Sequence, residues 1–107
     1  MIKGTFYRTE SGTIHQFRIT GHAGAGEYGE DIVCAAVSSC VITTVNGILE
    51  IDKDWILAKQ DSKGVLIQVQ NSSDVCQSLL ANMISLLEEL HDQYPKNLKI
   101  ISKEDTK

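Results

Sequence analysis

A histidine and a cysteine, His22 and Cys34, flank a glycine-rich acidic segment that leads directly into an apolar stretch. The thiolate of a cysteine, not its thiol, is the nucleophile, and helix starts and cationic neighbours favour it. With Asp31 read as the N-cap, Cys34 is the third residue of the following helix, beside unpaired amides at the positive end of the dipole. A protonated His22 imidazole would stabilise the thiolate further, and the helix-start amides could hold the oxyanion of a tetrahedral intermediate. Nucleophile, base and oxyanion donors then come from one short segment.

Two neighbours extend this reading. Ser38 follows Cys34 by one helical turn on the same face and could donate to the thiolate, to His22 or to substrate. Asp31 either caps the helix, which takes up the Cys34 amide, or orients His22 as the third member of a triad. The sequence leaves both readings of Asp31 open. Gly21, Gly24, Gly26 and Gly29 make segment 21–30 a candidate mobile lid that orders over a bound peptide. Glu27, Glu30 and Asp31 suit a substrate carrying lysine or arginine, and Tyr28 could pack on an extended chain. The run Gly24-Ala25-Gly26-Glu27-Tyr28-Gly29 also matches G-x-G-x-x-G. Its carboxylates would repel a pyrophosphate and the strand before it belongs to a hairpin, so dinucleotide binding is rejected.

Around this segment the chain reads as scaffold. Residues 2–8 and 13–20 alternate as strands about a turn at Glu10-Ser11-Gly12, and a helix is expected from Asp31 to about Ile51. A second hairpin pairs Trp55–Gln60 with Val65–Gln70. Ser72, Ser73 and Asp74 can cap a second helix whose stripe is Cys76, Leu79, Leu80, Met83, Ile84, Leu87 and Leu90. Pro95 ends it, and Leu98–Ile101 forms a last strand. The expected fold is α+β, a single domain over 1–107. Its ββαββαβ order implies a five-stranded mixed sheet with two helices on one face. The opposite sheet face would need cover, some of which a dimer could supply.

The 107 residues, 42% hydrophobic and 22% charged with one proline, suit one compact domain and not a disordered chain. A net charge of −4 and a pI near 5.2 argue against direct nucleic-acid binding and favour a cationic partner. Residues Met1 to Arg8 hold no apolar run that could serve as a signal peptide, so none is expected. Ile32–Leu49 is uncharged and just long enough to span a membrane, but its serines, threonines and Asn46, with acidic flanks, read as a buried helix. Three cysteines without framework spacing fit free thiols in a reducing, cytoplasmic setting. Cys40 and Cys76 lie on apolar faces and read as packing, His15 and His91 as surface or boundary residues. No metal site is expected, because His22, Cys34 and acidic neighbours are a poor zinc set.

The run Gly21-His22-Ala23, followed by Gly29-Glu30-Asp31-Ile32-Val33-Cys34-Ala35-Ala36-Val37-Ser38, resembles the signature of the ribosomal-processing cysteine protease family. Length, element order and the motif's place after the first hairpin extend the resemblance over nearly the whole chain. It implies a small endopeptidase that removes the N-terminal extension of large-subunit ribosomal protein twenty-seven, cutting after an aromatic residue. By the same resemblance Cys34 is the nucleophile and His22 the general base. The protein would be homodimeric and cytoplasmic, without a cofactor, and a basic ribosomal precursor would be its substrate. Two other readings compete: a non-catalytic factor docking a basic ribosomal protein, and a thiol redox sensor lacking a well-placed resolving cysteine.

Overall fold

The computed structural model describes residues 1–21, 28–62, 64–71 and 73–104, and for 28–31 the backbone alone. Two β-strands, β1 (Ile2–Arg8) and β2 (Ile14–Thr20), precede the helix α1 (Tyr28–Ile51). A second hairpin of β3 (Ile56–Asp61) and β4 (Gly64–Val69) leads to α2 (Asp74–Gln93) and the last strand β5 (Leu98–Glu104). The sheet order is β3-β4-β2-β1-β5. Every neighbouring pair is antiparallel except β1 and β5, which run parallel. This is the expected α+β arrangement with a mixed five-stranded sheet.

One boundary differs in a way that matters. The helix α1 begins at Tyr28, not at Asp31. Glu30 and Asp31 therefore fall within its first turn, where carboxylates complement the positive end of the dipole. Asp31 is inside the helix and is not its N-cap, and residues 28–30 leave the loop for the helix. The second helix begins as its residues dictate, with the Ser73 side chain accepting from the Cys76 amide at 3.0 Å. The strand β5 runs to Glu104, three residues beyond its expected end, because it pairs with β1 all the way from Ile2↔Leu98 to Arg8↔Glu104.

Both helices pack on one sheet face. From the strands Ile2, Phe6, Phe17, Ile67 and Leu98 point inward and are buried, with the Phe6 and Phe17 rings stacked at 4.3 Å. The α1 stripe is Val33, Val37, Val41, Val45 and Ile48, and the α2 stripe is Cys76, Leu80, Met83, Ile84 and Leu87. These spacings of three and four keep each stripe on one side of its helix. The helix α1 is long and apolar enough to cross a membrane by length and composition, but its valine stripe is part of this core. The opposite sheet face carries mainly polar side chains, among them Lys3, Thr5, Gln16, Arg18 and Gln68, so water suffices to cover it.

Two devices fix the register around β2. At Gly64 (φ +144°) an added Cβ would fall onto the Ile19 carbonyl oxygen, so β4 approaches β2 at a point only glycine permits. At the other end of β2, pairing with β1 slips between Tyr7 and Arg8. There Gln77 of α2 accepts from the Ile14 amide at 2.9 Å and donates to its carbonyl at 2.7 Å. The Gln77→Ala variant strips the partners from both the Ile14 N–H and the Ile14 carbonyl and is expected to lose about 1–3 kcal/mol of stability. A thermal melt checks this, and an unchanged midpoint would show that water replaces the amide without penalty.

Candidate active site

Cys34 is the seventh residue of α1 and half-buried. That is a correction to its expected place as the third residue. Its amide lies within the i→i−4 ladder, and the free amides of the helix belong to the turn before it. A thiolate here depends less on the dipole, which fades beyond the first turn, and more on a cationic partner. Helical side chains lean toward the N-terminus, so the thiol is directed back over the turn that carries Glu30 and Asp31.

The sequence predicts Cys34, Ser38 and Gly21 as site residues, and all three line one cavity of about 140 Å³. Ser38 is exposed on the cavity wall. It does not bond back to a carbonyl one turn earlier, whereas Thr44 does so to Cys40 at 2.9 Å. Gly21, at φ +79°, ends β2 against the Met1 carbonyl, where a Cβ would collide. His22 follows Gly21 in the sequence. His22, Gly24, Gly26 and Glu27 themselves lie outside the described residues. For Tyr28, Gly29, Glu30 and Asp31 the backbone opens α1.

The rest of the wall is mainly apolar, with Ile19 and Val65 from the sheet and Val37, Val41 and Ile42 from α1, and Thr20 and Gln60 as its polar members. A neighbouring groove of about 200 Å³ continues from it between α1 and the β3–β4 hairpin, sharing Val41, Ile42, Gln60 and Val65. Sequence reasoning did not single out this groove. Val37 and Val41 could have been found, since they follow Cys34 by three and seven positions on one helix face. Gln60 and Val65 face each other across the second hairpin, and nothing local ties them to Cys34. The cavity can take an apolar side chain beside a thiol, with a hydroxyl at hand.

The other thiols differ. Cys76 is fully buried, and Cys40 is half-buried with its Sγ 3.9 Å from the Met83 carbonyl. Burial pushes both thiols up from their ordinary pKa, which keeps them protonated at neutral pH. Among the described residues no group of three or more His, Cys, Asp or Glu side chains could hold a metal.

This architecture has close counterparts. The crystal structure of an essential ribosomal processing protease Prp from Staphylococcus aureus, in complex with a covalently linked product peptide, superposes with a TM-score of 0.87 at 27% identity. The match covers 96% of this chain and 100% of that one. The ribosomal processing cysteine protease Prp of Bacillus subtilis (strain 168) is 30% identical over 107 residues, covering 94% of this chain and 96% of that protein. Its counterpart in Staphylococcus aureus (strain Mu50 / ATCC 700699) is 29% identical over 94 residues, covering 85% and 89%. Residues 1–99 also match the family model for the cysteine protease Prp, and with the thiol-lined cavity on the same fold the chain belongs to that family of cysteine proteases.

Proposed function

We propose that this cysteine protease removes the N-terminal extension of large-subunit ribosomal protein twenty-seven, cutting after an aromatic residue. The observation that carries the reading is the shared cavity: Cys34 and the residue bonded to His22 line the same apolar pocket. In this mechanism His22 takes the Cys34 proton and the thiolate attacks the carbonyl carbon of the scissile bond. The leaving amine then departs with the proton returned by His22. Water, activated by His22, hydrolyses the resulting thioester and restores the thiol. A covalently linked product peptide in the Staphylococcus relative is consistent with a nucleophilic route.

The apolar wall formed by Val37, Val41, Ile42 and Val65 suits an aromatic side chain next to the cut. The acidic chain, with a net charge of −4, suits a basic precursor. The resemblance to the family carries with it a cytoplasmic homodimer without a cofactor. Outward-facing Ile42 and Leu49 of α1, 57% and 37% exposed, are apolar side chains that a second copy can cover.

The test is mass spectrometry of the ribosomal-protein precursor incubated with the wild type and with His22→Ala. The expected result is one new N-terminus after an aromatic residue, lost in the variant. Intact precursor in both samples, with wild type folded and reduced, rejects the protease reading of this substrate and leaves a docking factor.

A further inference from the structure

We infer that the helix-free face of the sheet docks RNA through its phosphates. The inference of RNA as the particular polyanion rests on the ribosomal reading of the substrate, while the surface itself rests on charge placement. Strand alternation, read from the inward side chains and the pairing register, puts Lys3, Arg18, Lys59, Lys99 and Lys103 on that face. These are five of the ten lysines and arginines in the chain. Among the described carboxylates only Asp61 shares the face, and it is turned into the hairpin, accepting from the Gly64 amide at 3.0 Å. A chain of net charge −4 therefore has one strongly cationic side, and the net charge that argues against nucleic-acid binding averages over two unlike surfaces.

Five details favour a polyanion over plain solubility. Lys3 and Lys99 stand directly opposite each other in the parallel β1–β5 register, a like-charge pair that destabilises the isolated sheet. Among the described residues none of the five cations is held in an ion pair, so all are available. Lysines on the edge strands β3 and β5 also deter edge-to-edge pairing, which accounts for Lys59, Lys99 and Lys103. It does not account for Lys3 and Arg18, which sit on the inner strands β1 and β2. Half-buried Tyr7, paired with Lys103 in the register, adds a ring on which a base can stack. The apolar residues of the face are separated by polar ones, which does not favour an ordinary protein partner.

The active-site cavity opens on the helix side of the sheet, so RNA on the far face leaves Cys34 free. Such docking would hold the protease beside a precursor that is itself bound to RNA.

The test is fluorescence anisotropy of a short labelled single-stranded RNA, titrated with the full chain at low and at physiological salt. Wild type is expected to bind with steep salt dependence. The Lys3→Glu/Lys99→Glu pair is expected to weaken binding at least about tenfold and to flatten the salt slope. Lys53→Glu, on an exposed lysine after α1, is the control and should bind as wild type does. Arg18→Gln/Lys59→Gln repeats the test without charge reversal if the first pair melts early. Absence of RNA binding at low salt, equal weakening by Lys53→Glu, or binding to anionic phosphatidylglycerol vesicles but not to RNA overturns the proposal. Cleavage of a short precursor peptide is read in parallel. Wild type that cleaves the peptide but binds no RNA tells against this surface alone, while wild type that binds RNA but does not cleave tells against the substrate reading alone.

Discussion

The Cys34→Ala variant is expected to lose about 10³–10⁶-fold in peptide cleavage while folding normally. The size of the loss follows from the proposed role as nucleophile: alanine offers none, and what remains is whatever binding and polar groups achieve alone. The fold should hold because Cys34 is only half-buried and sits at the cavity wall, outside the fully buried core. Trimming it changes stability by about 1 kcal/mol or less. Cys34→Ser keeps the size and separates nucleophilicity from packing, and should be nearly as inactive. Cys40→Ala and Cys76→Ala serve as counter-tests, since both thiols are held protonated by burial and face the core. They should keep their specific activity, though Cys76→Ala is expected to melt earlier. Peptide turnover by a clean Cys34→Ala preparation would remove this residue from the chemistry.

The largest effect on stability is expected at Phe17. Its ring is 1% exposed and stacks on Phe6 with planes 11° apart, on the inner strand β2. Phe6, Phe17 and Ile67 occupy consecutive places in one row across the sheet, beneath both helices. Removing the ring opens a void that the flanking strands cannot close without breaking their ladders. The expected loss for Phe17→Ala is about 3–5 kcal/mol, a large share of the roughly 5–15 kcal/mol available to a domain of this kind. Urea denaturation of Phe17→Ala beside Leu57→Ala provides the comparison. Leu57 is 37% exposed on the edge strand β3, and its replacement should change stability by about 0.5 kcal/mol or less. Equal midpoints for the two variants would mean that this row is not the centre of the core.

How far the sequence reaches can be read from particular residues. Helix α2 was legible in full, because Ser73 caps it and its apolar residues recur every three or four positions. Those signals act within a few residues of one another and need no tertiary context. Helix α1 starts three residues before the expected Asp31, because Asp31 is as good a cap as it is a first-turn carboxylate and only the backbone distinguishes the two. The consequence bears on the proposed chemistry: with Cys34 in the second turn, its own amide is no longer one of the free helix-start amides, and a thiolate there would depend more on a cationic partner, the role proposed for His22.

What the sequence determined by itself is local: the ββαββαβ order, the apolar stripes, and a cysteine and histidine set either side of a glycine-rich segment. Residue type and short spacing suffice for each of these. Only the tertiary structure decided which strands neighbour one another and what surrounds the thiol. The parallel β1–β5 pairing joins the two ends of the chain, and the cavity joins α1 to the second hairpin. The same long-range register put Lys3 opposite Lys99 and gathered half the cations on one face. Such contacts depend on which distant segments meet once the hydrophobic faces are buried, and no local pattern encodes that choice.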